Sequence, residues 1–159
     1  MLGQVTGYHK GYRGLRHERT VTIYVSDRWV VEDRLISKES HTYRLHWLLP
    51  DWEWEVESRD QRVEIVLKSP YGKVVLALQT DQQVSSLHSL VSLARAGEVI
   101  YGTRDVLPFE GWVSPTYGVK EPALSLAIEI KANQGVLFLS QFTFPKIDKT
   151  VLEMNSIGL

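Results

Sequence analysis

Strict alternation of apolar and polar residues recurs along this chain of 159 residues, and no other feature limits its fold as strongly. Residues 52–57 run Trp-Glu-Trp-Glu-Val-Glu, and residues 20–25 and 124–131 alternate in the same way. A period of two places successive side chains on opposite faces of a β-strand, so each segment predicts a strand with one buried face. Further strands are predicted at residues 29–36, 40–49, 62–68, 73–79 and 136–144. Many short strands separated by turn residues predict an all-β fold, an antiparallel β-sandwich with little or no helix.

The chain is predicted to form a single β-sandwich domain over residues 1–159. Its length and its hydrophobic content of 43% suffice for one ordinary core. Residues 1–10 precede the first clear strand and are expected to be a loose N-terminal segment. Pro145 is expected to stop the last strand, which leaves residues 145–159 as a C-terminal tail.

Three connections carry specific expectations. A three-residue loop at 26–28 would place Val25 opposite Trp29 and Ile23 opposite Val31. Residues 133–135, Asn-Gln-Gly, predict a hairpin that returns the chain into the strand beginning at Val136. Residues 84–96 fit either a helical stripe or a strand, and their all-β surroundings favour the strand.

Composition excludes several classes of function. The net charge of −1 provides no field for DNA, RNA or a strongly sulfated polymer, although the first nineteen residues are locally basic. The absence of cysteine removes disulfides, thiolate metal sites and a Cys nucleophile. The N-terminus lacks the apolar core of a signal peptide, and no run reaches membrane-spanning length. The cellular compartment stays undecided.

No cofactor, metal site or catalytic set is predicted from the residue pattern. His41 and His46 lie five apart on one strand, so they point to opposite faces and cannot share a metal. No nucleophile elbow, phosphate loop or spaced pair of acids occurs.

Polar residues in phase with core positions form a first candidate cluster. His17 and Arg19 share a face with Val21, and Asp33 shares a face with Val31. A buried carboxylate needs a partner, and a guanidinium offers a bidentate one, so Arg19 and Asp33 are interpreted as a structural ion pair. The alternatives are that His17, Arg19 and Asp33 line a glycan-facing edge, or that they are catalytic.

Aromatic residues outside the strands are the other ligand candidates. Trp29, Trp47, Trp52 and Trp54 fall in strand phase and are expected in the core. The segment 111–122 instead carries Trp112 and Tyr117 between glycines and prolines, and such shaped loops often bind ligands. The alternative is that this loop seals the end of the sandwich with its own aromatics.

Several of these segments, taken in order, resemble a known family. Residues 11–15, 17–21, 30–35, 41–50 and 111–122 are similar to the C-terminal β-sandwich, the supersandwich-like domain, of heparinase II/III-like polysaccharide lyases of bacteria. The most specific parts are the His17–Arg19 strand followed by Asp33, and the segment Gly111 to Pro122 with Trp112, Ser114, Tyr117 and Lys120. The resemblance covers about residues 7–145.

The resemblance implies a partner rather than an independent catalyst. In that family the catalytic groups lie on a helical toroid domain, and a His-x-His-x-Asp segment lies near the start of the sandwich, neither of which occurs here. The chain is therefore expected to be non-catalytic by itself, and either to support a groove for a polysaccharide, acidic ones included, or to pack on the toroid. Carbohydrate-binding or interface candidates are Arg13, His17, Arg19, Trp112, Tyr117 and Lys120.

Two other functions remain open. The first is a module for protein interaction or homo-oligomerisation, which predicts an exposed apolar patch. The second, less favoured, is a free-standing polysaccharide lyase, which would need a base, an acid and a group that neutralises the uronate carboxylate. Nucleic acid and membrane partners are not expected. Full-length relatives are often exported or periplasmic, whereas no signal peptide is expected in this chain.

Overall fold

The protein is an antiparallel β structure, as the sequence predicts. A computed structural model describes residues 1–12, 14–59 and 61–146, with the backbone alone at 10–12. The strands are β1 (Gly3–Tyr12), β2 (Leu15–Tyr24), β3 (Arg28–Ser37), β4 (His41–Leu49), β5 (Glu53–Arg59), β6 (Arg62–Ser69), β7 (Gly72–Thr80), β8 (Val91–Arg95), β9 (Glu98–Tyr101), β10 (Trp112–Val113), β11 (Glu121–Pro122), β12 (Leu124–Ala132) and β13 (Val136–Thr143). The helical content of the described residues is one 3₁₀ turn, His88–Leu90.

The strands form two facing sheets and a short ribbon. A seven-stranded sheet has the order β1-β2-β3-β13-β7-β6-β5, and a four-stranded sheet has the order β4-β12-β8-β9. Strands β10 and β11 form the ribbon. One apolar core contains residues of both sheets, among them Ile65, Leu76 and Phe138 from the larger sheet and Leu93 and Leu126 from the smaller. The all-β sandwich is thus confirmed.

Alternate residues of strand β4 lie on two different surfaces of the sheet. Tyr43 and Leu45 are 2% and 5% exposed and enter the core. Arg44 lies between them in the sequence and His46 follows Leu45. Both are exposed on the outer face of the four-stranded sheet. This outer face carries the candidate site described below.

Two expectations about the N-terminal strands are wrong. Residues 1–10 are not loose, because β1 pairs with β2 from Gly3↔Ile23 to Tyr12↔Leu15. The β2–β3 loop is Val25-Ser26-Asp27, so Ile23 pairs with Trp29 rather than with Val31. Asp27 has a positive φ of 52°, which Asp tolerates better than most residues, and this moves the loop by one position.

Residues 133–135 do not make a hairpin. Strand β12 belongs to the four-stranded sheet and β13 to the seven-stranded sheet, so the connection crosses between layers. It passes so close to β3 that a Cβ on Gly135 would collide with the carbonyl oxygen of Leu35. Strand periodicity cannot distinguish these connections, because both join two alternating segments.

Three further expectations have mixed outcomes. Within 84–96, only Val91–Arg95 is a strand, and the 3₁₀ turn precedes it. Trp29 is not a core residue, since it is 43% exposed, whereas Trp47, Trp52 and Trp54 pack against the core. Of the predicted tail at 145–159, residues 147–159 lie outside the described residues.

The two sheets differ in width, which leaves part of the larger one uncovered. Strand β4 contacts β13 and β2 across the core side, through a hydrogen bond from Trp47 Nε1 to Ser140 Oγ of 3.0 Å and through Arg19, which lies 5.2 Å from the Trp47 ring. Beyond β4, the core-side face of β1 and β2 has no opposing strand among the described residues. We call this face, which carries Val5 and Val21, the shelf.

Candidate functional site

The segment 102–120 folds over the outer face of the four-stranded sheet. Gly111 fixes its position, because the carbonyl oxygen of Gly111 accepts hydrogen bonds from the N–H groups of Ala96 and Ala123 at 2.9 and 2.8 Å. The preceding carbonyl, of Glu110, accepts from Gly97 N at 2.8 Å. The loop is therefore tied to both the β8–β9 turn and the start of β12.

Glu110 is the electrostatic centre of this loop. It is 6% exposed, and its carboxylate accepts hydrogen bonds from Arg44 at 2.5 Å and from Arg104 at 2.6 Å, with a third from Leu107 N at 3.1 Å. Burial alone would raise the pKa of Glu110, but the hydrogen bonds from Arg104, the Leu107 amide and Arg44 outweigh it and lower the pKa to about 2. Glu110 is consequently ionised at any physiological pH.

A second carboxylate balances the two arginines. Glu129, on β12, lies 3.6 Å from both Arg44 and Arg104. Arg104 also donates to Ser92 Oγ on β8 at 3.0 Å. Two arginines and two glutamates therefore neutralise one another, and they join the loop to three strands of the sheet.

His46 lies beside this network, which favours the neutral form of its imidazole. Burial lowers the pKa of His46, and the positive charge of Arg44 lowers it further, with a smaller contribution from Arg104 and an opposing one from Glu110. Its Nε2 shares a hydrogen bond of 2.7 Å with Ser125 Oγ. A neutral imidazole offers a hydrogen-bond acceptor as well as a donor, which suits hydroxyl groups.

An open cavity of about 360 Å³ lies between the loop and the sheet. Its lining combines charged, polar and aromatic side chains: Arg44, His46, Leu48, Phe109, Glu110, Gly111, Trp112 and Ser125. Its volume lies at the small end of the range for ligand pockets. The mixture of aromatic surface with cationic and hydrogen-bonding groups fits a polar ring better than an apolar ligand.

Trp112 and Lys120 form the rim of the cavity. The Lys120 ammonium lies 3.9 Å from the centre of the Trp112 ring, and Trp112 Nε1 donates to Pro108 O at 3.2 Å. Among the described residues, Lys120 has no carboxylate partner. The rim thus holds a cation above an aromatic ring whose orientation is fixed.

The other sequence-predicted residues lie elsewhere. Tyr117 is fully exposed at the tip of the same loop, away from the cavity lining. Arg13 lies outside the described residues. The structure therefore joins Trp112 to Lys120 and does not place Tyr117 beside them.

His17, Arg19 and Asp33 form a separate cluster on the shelf side of the seven-stranded sheet. Asp33 is 2% exposed, and its Oδ1 accepts from Arg19 Nε and His17 Nε2, each at 2.6 Å. Arg19 Nη2 donates to Asp33 Oδ2 at 2.9 Å. Arg19 on β2 lies directly opposite Asp33 on β3. The guanidinium is thereby paired in the bidentate geometry.

Sequence reasoning missed most of the cavity. Arg44, Arg104, Glu110 and Glu129 are far apart in the chain and meet only after folding, the Arg44–Glu110 pair being 66 residues apart. The available signal was the placement of Arg44 and His46 on the polar face of β4. No group of three or more potential metal-ligating residues occurs among the described residues. No helix in that part of the chain is long and apolar enough to cross a membrane.

The fold and site define a class of protein: a two-layer antiparallel β-sandwich with an ion-paired, aromatic loop over its smaller sheet. The chain belongs to the heparinase II/III-like, C-terminal family, which matches residues 2–148. No curated protein sequence matches it at a significant level.

Solved lyases share the fold. A heparinase III with methylated lysines has a TM-score of 0.64 at 15% identity, covering 92% of this chain and 20% of that one. The heparan sulfate lyase HepC from Pedobacter heparinus has a TM-score of 0.58 at 18% identity, covering 91% and 20%. The chain spans about a fifth of the length of these enzymes, and at such identities the likeness establishes the fold alone.

Proposed function

We propose that the chain is a non-catalytic sandwich domain that forms one wall of a groove for an acidic polysaccharide in a heparinase II/III-type protein. The observation that carries the proposal is the rim of the cavity, where the Lys120 ammonium, which has no carboxylate partner among the described residues, lies over the Trp112 ring. Sugar rings stack on aromatic faces through their C–H groups, and uronate carboxylates pair with ammonium groups. Lys120 covers one face of the Trp112 ring, so a sugar would stack on the opposite face and direct its carboxylate around the ring edge to the ammonium.

The cavity floor supports the same proposal. Arg44 lines the cavity with its charge balanced by Glu110 and Glu129, and the neutral form of His46 is favoured beside it. Together they offer donors and an acceptor to hydroxyl and carboxylate groups of a bound sugar. A helical catalytic domain would form the opposite wall of the groove and would supply the catalytic groups.

We expect Lys120→Ala to weaken binding of alginate and heparin by about tenfold, which corresponds to 1.4 kcal/mol. Trp112→Phe, which keeps a ring but loses the hydrogen bond to Pro108, is expected to retain most binding, and Trp112→Ala to lose it. Tyr117→Ala should have a smaller effect. Affinity electrophoresis and calorimetry with both polysaccharides measure the change.

The controls separate local contacts from general charge or aromatic effects. Lys38→Ala removes an exposed cation from the β3–β4 connection, and Tyr71→Ala removes a ring from the β6–β7 turn. Neither should alter binding. Equal losses in Lys38→Ala and Lys120→Ala would refute a localised site. Production of unsaturated uronates by the purified chain, detected by ultraviolet absorbance, would refute the non-catalytic role.

A second function, as an interaction module, has its own supporting observation. The shelf exposes apolar side chains on a sheet face that would ordinarily be covered, with Val5 at 66% exposure, and Trp29 of the adjoining strand β3 is 43% exposed. This surface lies on the other sheet from the cavity, so both functions can coexist in one chain.

A further inference from the structure

A second open cavity, of about 530 Å³, lies at the end of the sandwich where β4 leads into β5. Its lining combines two tryptophans with two cations and their acidic partners: Asp51, Trp52, Glu53, Trp54, Lys68 and Arg95. The two cavities have entirely different lining residues. The backbone of Arg95, at the end of β8, lies against Gly111 of the first cavity, so the cavities lie on either side of this strand end.

Both cations of the second cavity are ion-paired. Arg95 donates from Nε and Nη2 to the two carboxylate oxygens of Asp51, at 2.6 and 2.7 Å, in bidentate geometry. Lys68 lies 3.2 Å from Glu53 and 3.0 Å from Glu55. The hydrogen bond from Arg95 lowers the pKa of Asp51, and the hydrogen bonds that Lys68 donates to Glu55 and Glu53 raise its own pKa. The cavity therefore offers donors and acceptors around neutral pH without a surplus of positive charge.

The two tryptophans provide the apolar part of this cavity. Trp52 immediately precedes β5 and Trp54 lies within it, so alternation places both on the core side, where each is half-buried. The Trp54 ring meets the ring of Tyr101 on β9 edge-on, with the ring centres 6.1 Å apart. Glu53, between the tryptophans, has a side chain that is 79% exposed. The cavity thus presents indole surface beside paired charged groups.

We infer that this second cavity binds a neutral sugar ring, a ligand class different from the acidic sugar proposed for Trp112 and Lys120. The C–H groups of a hexose stack on the negative face of an indole ring. Its hydroxyl groups donate and accept at once, and the Asp51–Arg95 pair offers both kinds of partner in fixed positions. An uncharged ring can make these contacts while both ion pairs stay intact.

The charges of the cavity disfavour an acidic ligand. A uronate or sulfate group would approach three carboxylates, and it could pair with Lys68 or Arg95 only by displacing a carboxylate already bound there. At the rim of the first cavity, by contrast, Lys120 has no carboxylate partner among the described residues. A wholly apolar ligand is disfavoured too, because it would desolvate the ion pairs without replacing their hydrogen bonds to water.

Calorimetry of the full chain with neutral and acidic hexasaccharides tests the inference. The neutral probes are cellohexaose, mannohexaose and maltohexaose, and the acidic probe is hexaguluronate. We expect a neutral probe to bind, and Trp52→Ala and Trp54→Ala each to weaken that binding at least about tenfold. The affinity should be equal at about 50 and about 500 mM NaCl, because no surplus charge attracts the ligand. Trp29→Ala removes a tryptophan that is 43% exposed on β3, and this matched control should bind normally.

Glu53→Lys keeps the test decisive if a tryptophan variant is unstable, because the exposed Glu53 side chain lies outside the core. In a Lys120→Ala background, which removes the first site, Glu53→Lys should gain binding of hexaguluronate that is lost at about 500 mM NaCl. Failure to gain it would overturn the charge argument. The inference would also be overturned if no neutral probe binds at about 10 mM, or if Trp29→Ala weakens binding as much as Trp54→Ala.

The two sugar sites can fail separately. Loss of hexaguluronate binding in the natural chain would count against Trp112 and Lys120, and loss of neutral binding would count against the second cavity. Hexaguluronate binding to the Lys120→Ala chain more tightly than any neutral probe would overturn the inference, because it would show that the second cavity prefers an acidic sugar.

Discussion

Glu110→Gln is expected to destabilise the chain by about 3 kcal/mol at pH 7, because the pKa of Glu110 lies near 2 instead of 4.5. The substitution leaves Glu129, 3.6 Å from each, as the remaining carboxylate beside Arg44 and Arg104 among the described residues. Glu110 is the buried member of this network, and its replacement leaves two partly desolvated guanidinium groups without their closest carboxylate. Urea unfolding of both proteins gives the difference.

The same pKa predicts how this difference depends on pH. Because the folded pKa is below the unfolded value, the ionised carboxylate contributes its full stabilisation above about pH 5.5. The contribution decreases as pH falls from there towards 2, where the folded protein also takes up the proton. The unfolding free energies of the natural chain and Glu110→Gln should therefore converge in acid.

An exposed glutamate provides the comparison. Glu98 lies on β9 and is exposed, so Glu98→Gln should change stability little at pH 7. A Glu110→Gln protein as stable as the natural chain at pH 7 would show that the network is energetically neutral. A difference that does not shrink in acid would show that lost packing, rather than lost charge, is responsible.

The sequence predicts most of the strands because alternation is a local property. Residues 53–57 and 124–131 lie in β5 and β12 with their apolar residues facing the core, since a period of two needs no knowledge of the partner strand. Ser125 and Ala127, on the other face of β12, are buried as well, which the alternation does not predict. The pairing between strands is harder to predict from the sequence. The β2–β3 register depends on the loop position, which a single positive φ at Asp27 shifts, and the sheet to which β13 belongs depends on long-range packing.

The candidate site was only partly predictable for the same reason. Trp112, Tyr117 and Lys120 stand out in the sequence because they interrupt the strand pattern near glycine and proline. Glu110 has no such local signature, and its partner Arg44 resembles any outward-facing strand residue. Likewise, Arg19 and Asp33 were predictable as a pair because their phase implies burial, and a buried carboxylate requires a partner.

Gly111→Ala should destabilise the chain by about 2–4 kcal/mol and abolish the cavity, because two separate costs combine at this position. Gly111 has a φ of 73°, which residues with a Cβ adopt only at a cost. An added Cβ would also lie 2.7 Å from Arg95 Cα and 2.8 Å from both Ala94 O and Ala96 N. These are backbone atoms within or beside β8, so they cannot move aside as a flexible side chain would.

Gly118→Ala separates these two costs. Gly118 has nearly the same φ, 77°, but an added Cβ there would meet no atom within 4 Å. Gly118→Ala should therefore lower the free energy of unfolding by about 1 kcal/mol, which is the conformational cost alone. Since Gly111 also fixes the neighbouring Glu110 and Trp112, Gly111→Ala should accelerate hydrogen exchange across residues 103–122 and eliminate polysaccharide binding, whereas Gly118→Ala should preserve both. Equal effects of the two substitutions on unfolding in urea would refute the steric argument and leave only the backbone conformation to explain why glycine occupies position 111.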